Sequence, residues 1–395
     1  MTVKKAVGKI HLWLGLTSGL VVFIVSITGC IYAFQSEIQD LTQSYRYIEV
    51  EKKPMLPPSA IKAIVEKAVP NKVIHSVTYE RPGRAAIATI YHYEPSYYYL
   101  AYVNPYSGEV LKVKNMDEDF FRIILDGHFY LWLPDAIGQP VVATATLIFL
   151  ILTITGMILW WPKNKSAAKQ RFSIKWNARW RRVNYDLHNV LGFYATWVLI
   201  ILGVTGLVWG FQWFSKAYYY TLSGGKTQTE YYEPESATPS AATLTLQENT
   251  PAIDRIWKKI IAETPGAKTI EVHPPETEKS TIVTATTTDV DVYWKHDYRY
   301  FDQYTLNEVS VKHAFGRLES ISTADKIFRM NYDIHTGGIF GFAGKLLAFF
   351  ASLIAASLPV TGAYIWWGRR KKTSKAVVAS ETRHKKVFDE KYSVK

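Results

Sequence analysis

Residues 9–38 read KIHLWLGLTSGLVVFIVSITGCIYAFQSEI, an apolar run that starts beside a histidine and carries no charge between Lys9 and Glu37. About 20 helical residues cross the roughly 30 Å core of a bilayer, so this run predicts a transmembrane helix. No small-residue cleavage site follows it, and we therefore expect a retained span rather than a signal peptide. Four such runs occur, at 10–34, 141–161, 190–214 and 346–367.

The basic residues indicate how these spans are oriented. The chain has a net charge of +12, which could indicate nucleic acid, but its lysines and arginines cluster before span one, between spans two and three, and after span four. Basic loops stay in the cytoplasm, so both termini are expected inside and no nucleic-acid partner is expected. Loops 36–135 and 215–340 must then face the other compartment. In a bacterium this places the chain in the inner membrane, with those loops in the periplasm.

The cysteine content excludes several kinds of cross-link and cofactor attachment. Cys30 is the only cysteine. The sequence therefore excludes disulfides within the chain, covalent haem attachment through Cys-x-x-Cys-His, and iron–sulfur clusters held by cysteines.

The sequence repeats itself. His11 aligns with His188, and Thr28-Gly29 with Thr205-Gly206, at a constant offset of about 177 residues in the printed numbering. FRIILDGH (121–128) likewise aligns with FRMNYDIH (328–335). We therefore predict a membrane α-helical protein whose four-helix bundle arose by duplication, with its halves related by an axis along the membrane normal.

Each external loop reads as a small α+β module. In the first, a helix at 58–68 precedes alternating segments at 73–79, 85–91 and 97–103 and then the turn NPYSGEV. The second has a helix at 252–262, strands near 269–272, 281–286 and 293–301, and the turn DQYTLNEV. That turn lacks the glycine, so its geometry could differ. Modules this small are marginal alone, and we expect them to pack on each other or on the span ends.

The predicted organisation has eight parts. In chain order they are span one (1–35), the first module with an interfacial helix (36–135), span two (136–162), a basic cytoplasmic loop (163–186), span three (187–215), the second module with an interfacial helix (216–340), span four (341–368) and a cytoplasmic tail (369–395). A polar insert at 223–250 is expected to be a linker.

Four histidines occupy equivalent places in the two halves. His11 and His188 lie at the inner ends of spans one and three, and His128 and His335 lie just outside spans two and four. One histidine at a membrane interface is usually a polar anchor, but ionisable residues near a bilayer are costly, and here they recur in register. Facing histidines hold b-type haem in helical bundles. We therefore predict two bis-histidine haems, one held by His11 with His188 and one by His128 with His335.

Neighbouring residues support a flat cofactor. Gly15, Gly19 and Gly192 follow the inner histidines at helical spacing and leave the helix face without bulk. Arg122 and Arg329 precede the outer histidines and either pair with nearby aspartates or bind haem propionates. The Thr-Gly dipeptides are interpreted as helix-packing elements. Among the other histidines, His313 is a weaker candidate for function.

The stretches KIHLWLGLTSGLVVFIVSITGCIYAFQSEI, NYDLHNVLG (184–192), DIHTGGIFGFAGK (333–345) and TGAYIWWGRR (361–370) resemble the PepSY-associated transmembrane family, often called iron-regulated membrane proteins. The resemblance covers nearly the whole chain and includes two PepSY-like external modules. It implies that His11, His128, His188 and His335 are the haem ligands. Some members of the family are inner-membrane siderophore reductases with two haems.

The resemblance therefore implies a reductase that passes electrons across the membrane to a ferric siderophore and releases Fe(II). No glycine-rich dinucleotide motif is present, so the electron donor would be quinol or a separate cytosolic reductase. Two alternatives stay open. One is a haem-free regulator that displays two PepSY modules for binding, and the other is a transmembrane electron carrier similar to cytochrome b561.

Overall fold

A computed structural model describes residues 2–162, 171–237 and 250–392, so parts of the predicted basic loop and polar insert lie outside the described residues. The helices in chain order are α1 (Val3–Tyr32), α2 (Gln35–Thr42), α3 (Pro58–Ala68), α4 (Phe120–Tyr130), α5 (Asp135–Trp160), α6 (Trp180–Asp186), α7 (Gly192–Gly210), α8 (Gln212–Leu222), α9 (Ala252–Glu263), α10 (Thr323–Thr336) and α11 (Gly341–Tyr392). The strands are β1 (Ile74–Tyr79), β2 (Ala86–His92), β3 (Tyr97–Val103), β4 (Val110–Asn115), β5 (Thr269–His273), β6 (Ile282–Thr287), β7 (Asp297–Phe301) and β8 (Glu308–Val309).

The chain divides into two compact units. The helical unit comprises Met1–Cys30, Gly127–Gly210 and Leu347–Lys395. The sheet unit comprises Ile31–Asp126 and Phe211–Leu346. The division follows the predicted alternation of spans and external loops along the chain.

Four helical segments are long and apolar enough to cross a membrane: Val3–Tyr32, Asp135–Trp160, Trp180–Gly210 and Gly338–Arg369. This confirms the four predicted spans. Large apolar side chains on them point outward, such as Leu20 at 72% exposure and Trp197 at 59%. Such exposure is costly in water and favourable in lipid.

The third and fourth spans differ from their predicted bounds. The third begins at Trp180 rather than at 187, and α6 joins α7 through a π-helical turn at Leu187–Leu191. Asp186 ends α6, and its carboxylate accepts from Arg182 at 2.9 Å. A π turn is rare and is found mostly at functional sites, and His188 lies within this one. The fourth helix continues past residue 368 to Tyr392.

The two predicted modules share one sheet. Its eight antiparallel strands run in the order β4-β3-β2-β1-β5-β6-β7-β8. The first module supplies β1–β4 and the second β5–β8, and the two meet where Val77 pairs with Val272 and Tyr79 with Ile270. The expectation that the modules pack on each other is therefore confirmed, but they form one structure rather than two separate ones. The predicted order of helix then strands is the same in both halves.

One hydrophobic core lies between this sheet and helices α3 and α9. Ile61 of α3, Ile256 of α9 and Phe301 of β7 are completely buried in it. The two helices are also joined by polar contacts, since Asp254 accepts from the backbone N–H of Ser59 at 2.9 Å and from its hydroxyl at 2.5 Å. Both modules thus contribute to a single core, which offsets the small size of each.

The two β-turns after β3 and β7 close in the same way despite the missing glycine. Asn104 donates its backbone N–H to the carbonyl of Glu109 at 2.8 Å, and Asp302 donates to Asn307 at 2.9 Å. Gly108 has φ +80° and Leu306 has φ +60° at the matching position. The second turn therefore keeps the geometry of the first, and leucine adopts the left-handed conformation that glycine takes more easily.

Candidate functional site

The helical unit contains a cavity of about 390 Å³ that both inner histidines line. His11 comes from α1 and His188 from the π turn, so the two predicted ligands of the inner haem meet at one cavity. Its volume falls in the range of small-molecule and cofactor sites, and such sites in bundles are built from side chains on facing helices.

Several residues that line this cavity are glycines, which add no side-chain bulk to its walls. The glycines among its lining residues are Gly8, Gly15, Gly19, Gly156, Gly192 and Gly362. A methyl group added at Gly19 would lie 3.2 Å from Cβ of Pro359, and one at Gly192 would lie 3.3 Å from Cδ2 of Leu358. Those two positions allow the helices to approach closely, and the sequence predicted this stripped face correctly for Gly15, Gly19 and Gly192.

Each inner histidine is oriented by a threonine on a neighbouring helix. Nδ1 of His11 lies 2.9 Å from Oγ1 of Thr155 on α5. Nδ1 of His188 lies 2.9 Å from Oγ1 of Thr361 on α11. These threonines belong to the Thr-Gly dipeptides that the sequence assigned to helix packing. Their contact with histidine was missed because the partners are 144 and 173 residues apart.

His128 is held in the same way on another helix. It lies on α4, and its Nδ1 is 3.1 Å from Oγ1 of Thr28 and 2.9 Å from the carbonyl oxygen of Val25, both on α1. Burial lowers the pKa of His128, and the Val25 carbonyl opposes that shift. A lowered pKa favours the neutral ring that iron ligation requires.

His335 belongs to the sheet unit, so its pairing with His128 stays a prediction. It lies in the last turn of α10, a helix that begins with a capping box between Ser322 and Asp325 and ends at Gly337 in the left-handed conformation. Asp333, buried in the same turn, accepts the backbone N–H groups of Tyr293 and Trp294 at 2.8 and 2.9 Å. These bonds fix α10 to the loop before β7.

The two arginines predicted to bind propionates have different surroundings. The guanidinium of Arg122 lies over the ring of Tyr98, 5.8 Å from its centre. Arg329 is 4% exposed and donates from Nη2 to the carbonyl of His296. Its Nε and Nη1 have no hydrogen-bond partner among the described residues. The side chain of Asp333 accepts from the backbone N–H groups described above, and that of Arg329 donates to His296. These contacts, and not an ion pair between the two residues, order the side chains.

Two further arginines line the inner cavity. Arg171 donates from Nη1 to the carbonyl of Trp160 at 2.5 Å and lies over the indole of the same residue. Arg369 lines the cavity from the end of the fourth span. The sequence used both residues only to orient the chain, because a basic residue beside a span is first an orientation signal. Their position on a cavity wall gives them a second possible role.

A second cavity, of about 640 Å³, lies within the sheet unit. Its wall includes Lys216 and Tyr220 of α8, Tyr231, and His313 with Phe315. His313 is 1% exposed, and the rings of Tyr231 and Tyr232 lie 4.9 and 5.0 Å from its own. Burial lowers the pKa of this imidazole.

A bare metal centre was not among the expectations from sequence. Among residues 2–162, 171–237 and 250–392, no group of three or more histidine, cysteine or carboxylate side chains has an arrangement suited to a metal ion.

Four membrane-spanning helices with an attached α+β sheet define the chain as an integral membrane protein. It belongs to the family described as PepSY-associated TM region, whose model matches residues 9–369. This confirms the resemblance read from the four quoted stretches. No curated protein matches the chain.

Proposed function

We propose that this chain is a di-haem b reductase of the bacterial inner membrane, which passes electrons outward to a ferric siderophore in the periplasm and releases Fe(II). The observation that carries the proposal is the cavity that His11 and His188 line together. A bis-histidine site between helices needs two imidazoles at one cavity, and His11 and His188 both line this one.

The residues around the cavity suit a haem. Six glycines limit the side-chain bulk around the cavity, and Arg171 and Arg369 add positive charge to its lining. Arginine matches carboxylates well, so these two side chains would hold the propionates. A bound haem would supply reversible one-electron chemistry, and the protein would supply axial ligands and a low-dielectric surrounding.

For the outer haem we keep the predicted ligands, His128 and His335, and the predicted propionate partners, Arg122 and Arg329. The support within this chain is that the pKa of His128 is lowered, and that Arg329 is buried with two nitrogens that lack acceptors in the described part of the chain. A buried donor without an acceptor is costly, and a carboxylate would remove that cost.

The chemistry at the substrate balances with one electron. Hard oxygen donors hold Fe(III) much more tightly than Fe(II), so the reduction of the chelated ion weakens its binding and releases it. The electron originates on the cytoplasmic side, from quinol or a cytosolic reductase. The basic residues place both termini on that side, and the duplication read from the sequence gives each half one inner and one outer histidine.

We assign the chelate to the 640 Å³ cavity of the sheet unit. Lys216 carries a positive charge, and Tyr220 and Tyr231 offer hydroxyl donors beside aromatic faces. A ferric hydroxamate or catecholate presents many oxygen acceptors, which these groups would bind. Replacement of Lys216 by alanine is expected to raise KM for an anionic chelate more than it lowers kcat.

The test is reoxidation of the reduced protein. Full-length protein in lipid nanodiscs is reduced, freed of excess reductant and mixed by stopped flow with a ferric hydroxamate, with a ferrous-specific dye present. The expected result is loss of the reduced haem bands together with one Fe(II) per electron. The gallium(III) form of the same chelate has the same shape and should cause no reoxidation.

Two outcomes contradict the proposal. Reduced haem that persists with every ferric chelate would indicate a carrier similar to cytochrome b561. A colourless protein would indicate a haem-free binding module.

A further inference from the structure

We propose that Thr155, Thr361 and Thr28 are positioning residues that determine which ring nitrogen of His11, His188 and His128 is offered to a metal. The effect on a bound haem rests on the proposed function, whereas the contacts between histidine and threonine do not depend on it. In each case the histidine Nδ1 lies 2.9–3.1 Å from the threonine Oγ1.

The hydroxyl hydrogen in each pair is already committed. Oγ1 of Thr155 donates to the carbonyl of Ile151 at 2.8 Å, and Oγ1 of Thr361 donates to Ser357 at 2.8 Å. A hydroxyl has one hydrogen and two lone pairs, so it can only accept from the ring. With the hydroxyl hydrogen on the helix carbonyl, Nδ1 of His11 and of His188 carries the ring hydrogen and Nε2 carries the lone pair.

His128 gives an independent case. Oγ1 of Thr28 donates to the carbonyl of Ile24 at 2.8 Å, so this hydroxyl also accepts from the ring. In addition, the carbonyl of Val25 lies 2.9 Å from the same Nδ1, and a carbonyl cannot donate. The two contacts agree that Nδ1 is protonated.

The glycine after each threonine completes the contact. A methyl group added at Gly156 would lie 3.3 Å from Cε1 of His11. The same addition at Gly362 or Gly29 would lie 3.2 Å from Cε1 of His188 or His128. The ring edge that contains Nδ1 and Cε1 therefore rests against the neighbouring helix where that helix has no side chain. The Thr-Gly dipeptide fixes both the tautomer and the ring position.

The consequence for a bound haem is chemical as well as geometric. A ligating histidine that donates its other N–H becomes a stronger electron donor, and loss of such a partner typically costs 10- to 100-fold in metal affinity. A stronger donor stabilises Fe(III), so these threonines would lower the reduction potential of the iron that they serve.

The experiment compares three variants of the full-length protein. Thr361→Val removes the acceptor and keeps the shape, and Thr361→Ser keeps the hydroxyl. Thr146→Val is the matched control, because Thr146 of α5 is a half-buried threonine that donates to the carbonyl of Val142 at 2.8 Å and is not among the residues that line the cavity.

The first readout does not need haem. Nitrogen-15 NMR of histidine-labelled, haem-free protein in lipid should show His188 protonated at Nδ1, with its signals assigned by their loss in His188→Gln. Thr361→Val should give a mixture of tautomers, whereas Thr361→Ser and Thr146→Val should match the parent. Protonation of Nε2 in the parent, or an unchanged Thr361→Val spectrum, would overturn the inference.

The second readout uses haem-loaded protein. Thr361→Val should lose one haem 10- to 100-fold faster to a scavenger globin and shift the midpoint potential of that haem upward, with Thr361→Ser close to the parent. If both values equal those of Thr146→Val, the inference fails while the proposed function stands. If no haem binds to the parent, the proposed function fails and the tautomer result decides the inference alone.

Discussion

Gly108 and Leu306 hold the same place in two turns that close with the same backbone hydrogen bonds. A non-glycine residue in the left-handed region costs about 1–2 kcal/mol, so the second turn carries a cost that the first avoids. Leu306 packs against the edge of the hydrophobic core, which offsets part of it. The sequence showed that the second turn lacks this glycine. The hydrogen bonds that close the turn nevertheless impose the same backbone conformation.

Replacement of Gly108 by alanine is expected to destabilise the sheet by about 1–3 kcal/mol. The added methyl group would lie 2.7 Å from Cδ1 of Ile64, and the backbone has φ +80°. Hydrogen exchange of the β3 and β4 amides measures the change. Gly266→Ala is the control, because no atom lies within 4 Å of its methyl position and its φ is not positive. Equal protection of these amides in the two variants would contradict the strain expected from an alanine at position 108.

The residues of the candidate site were predicted unequally. The four histidines could be found from the sequence because they occupy matching positions in its repeat, each close to an apolar run. The Thr-Gly dipeptides could be seen but not interpreted, since Thr361 and His188 are 173 residues apart and the spacing says nothing about which ring a threonine contacts. Arg171 had a sufficient explanation as an orientation signal, so its place on the cavity wall was missed.

At the level of elements, local patterns predicted helices and strands well and long-range pairing poorly. The helix at 58–68 was predicted to the residue, because a proline starts it and an apolar stripe runs along one face. The pairing of β1 with β5 joins Val77 to Val272, and no local pattern specifies such a distant partner. The π turn was also missed, because it alters the register of one turn without altering composition.

The shared sheet makes a prediction about cooperativity. Val272 is completely buried at the join, so Val272→Asp buries an unpaired charge and is expected to cost about 3 kcal/mol or more. Hydrogen-exchange protection should fall in β1 and β2 as well as in β5 and β6. Glu271→Gln, next to it on the other face, should leave protection unchanged. Loss confined to β5–β8 would mean that the modules fold independently.

For the whole molecule, the positive-inside arrangement gives a prediction about sidedness. Lys4 and Thr229 are exposed, and the native Cys30 is buried and gives little background. A membrane-impermeant maleimide added to intact spheroplasts should label Thr229→Cys and spare Lys4→Cys, with both labelled after lysis. Labelling of Lys4→Cys in intact spheroplasts would invert the proposed direction of electron flow.

The family match and the four apolar helices establish the class of the whole molecule. The proposed activity depends on haem, and a count of the haem bound per chain tests it directly. The pyridine haemochrome spectrum of purified full-length protein should give two b-type haems per chain. His188→Ala should reduce the count to one, and His75→Ala, which removes a histidine of the sheet, should leave it at two. A parent protein without haem, or an undiminished count in His188→Ala, would contradict the assignment of His11 and His188 as a ligand pair.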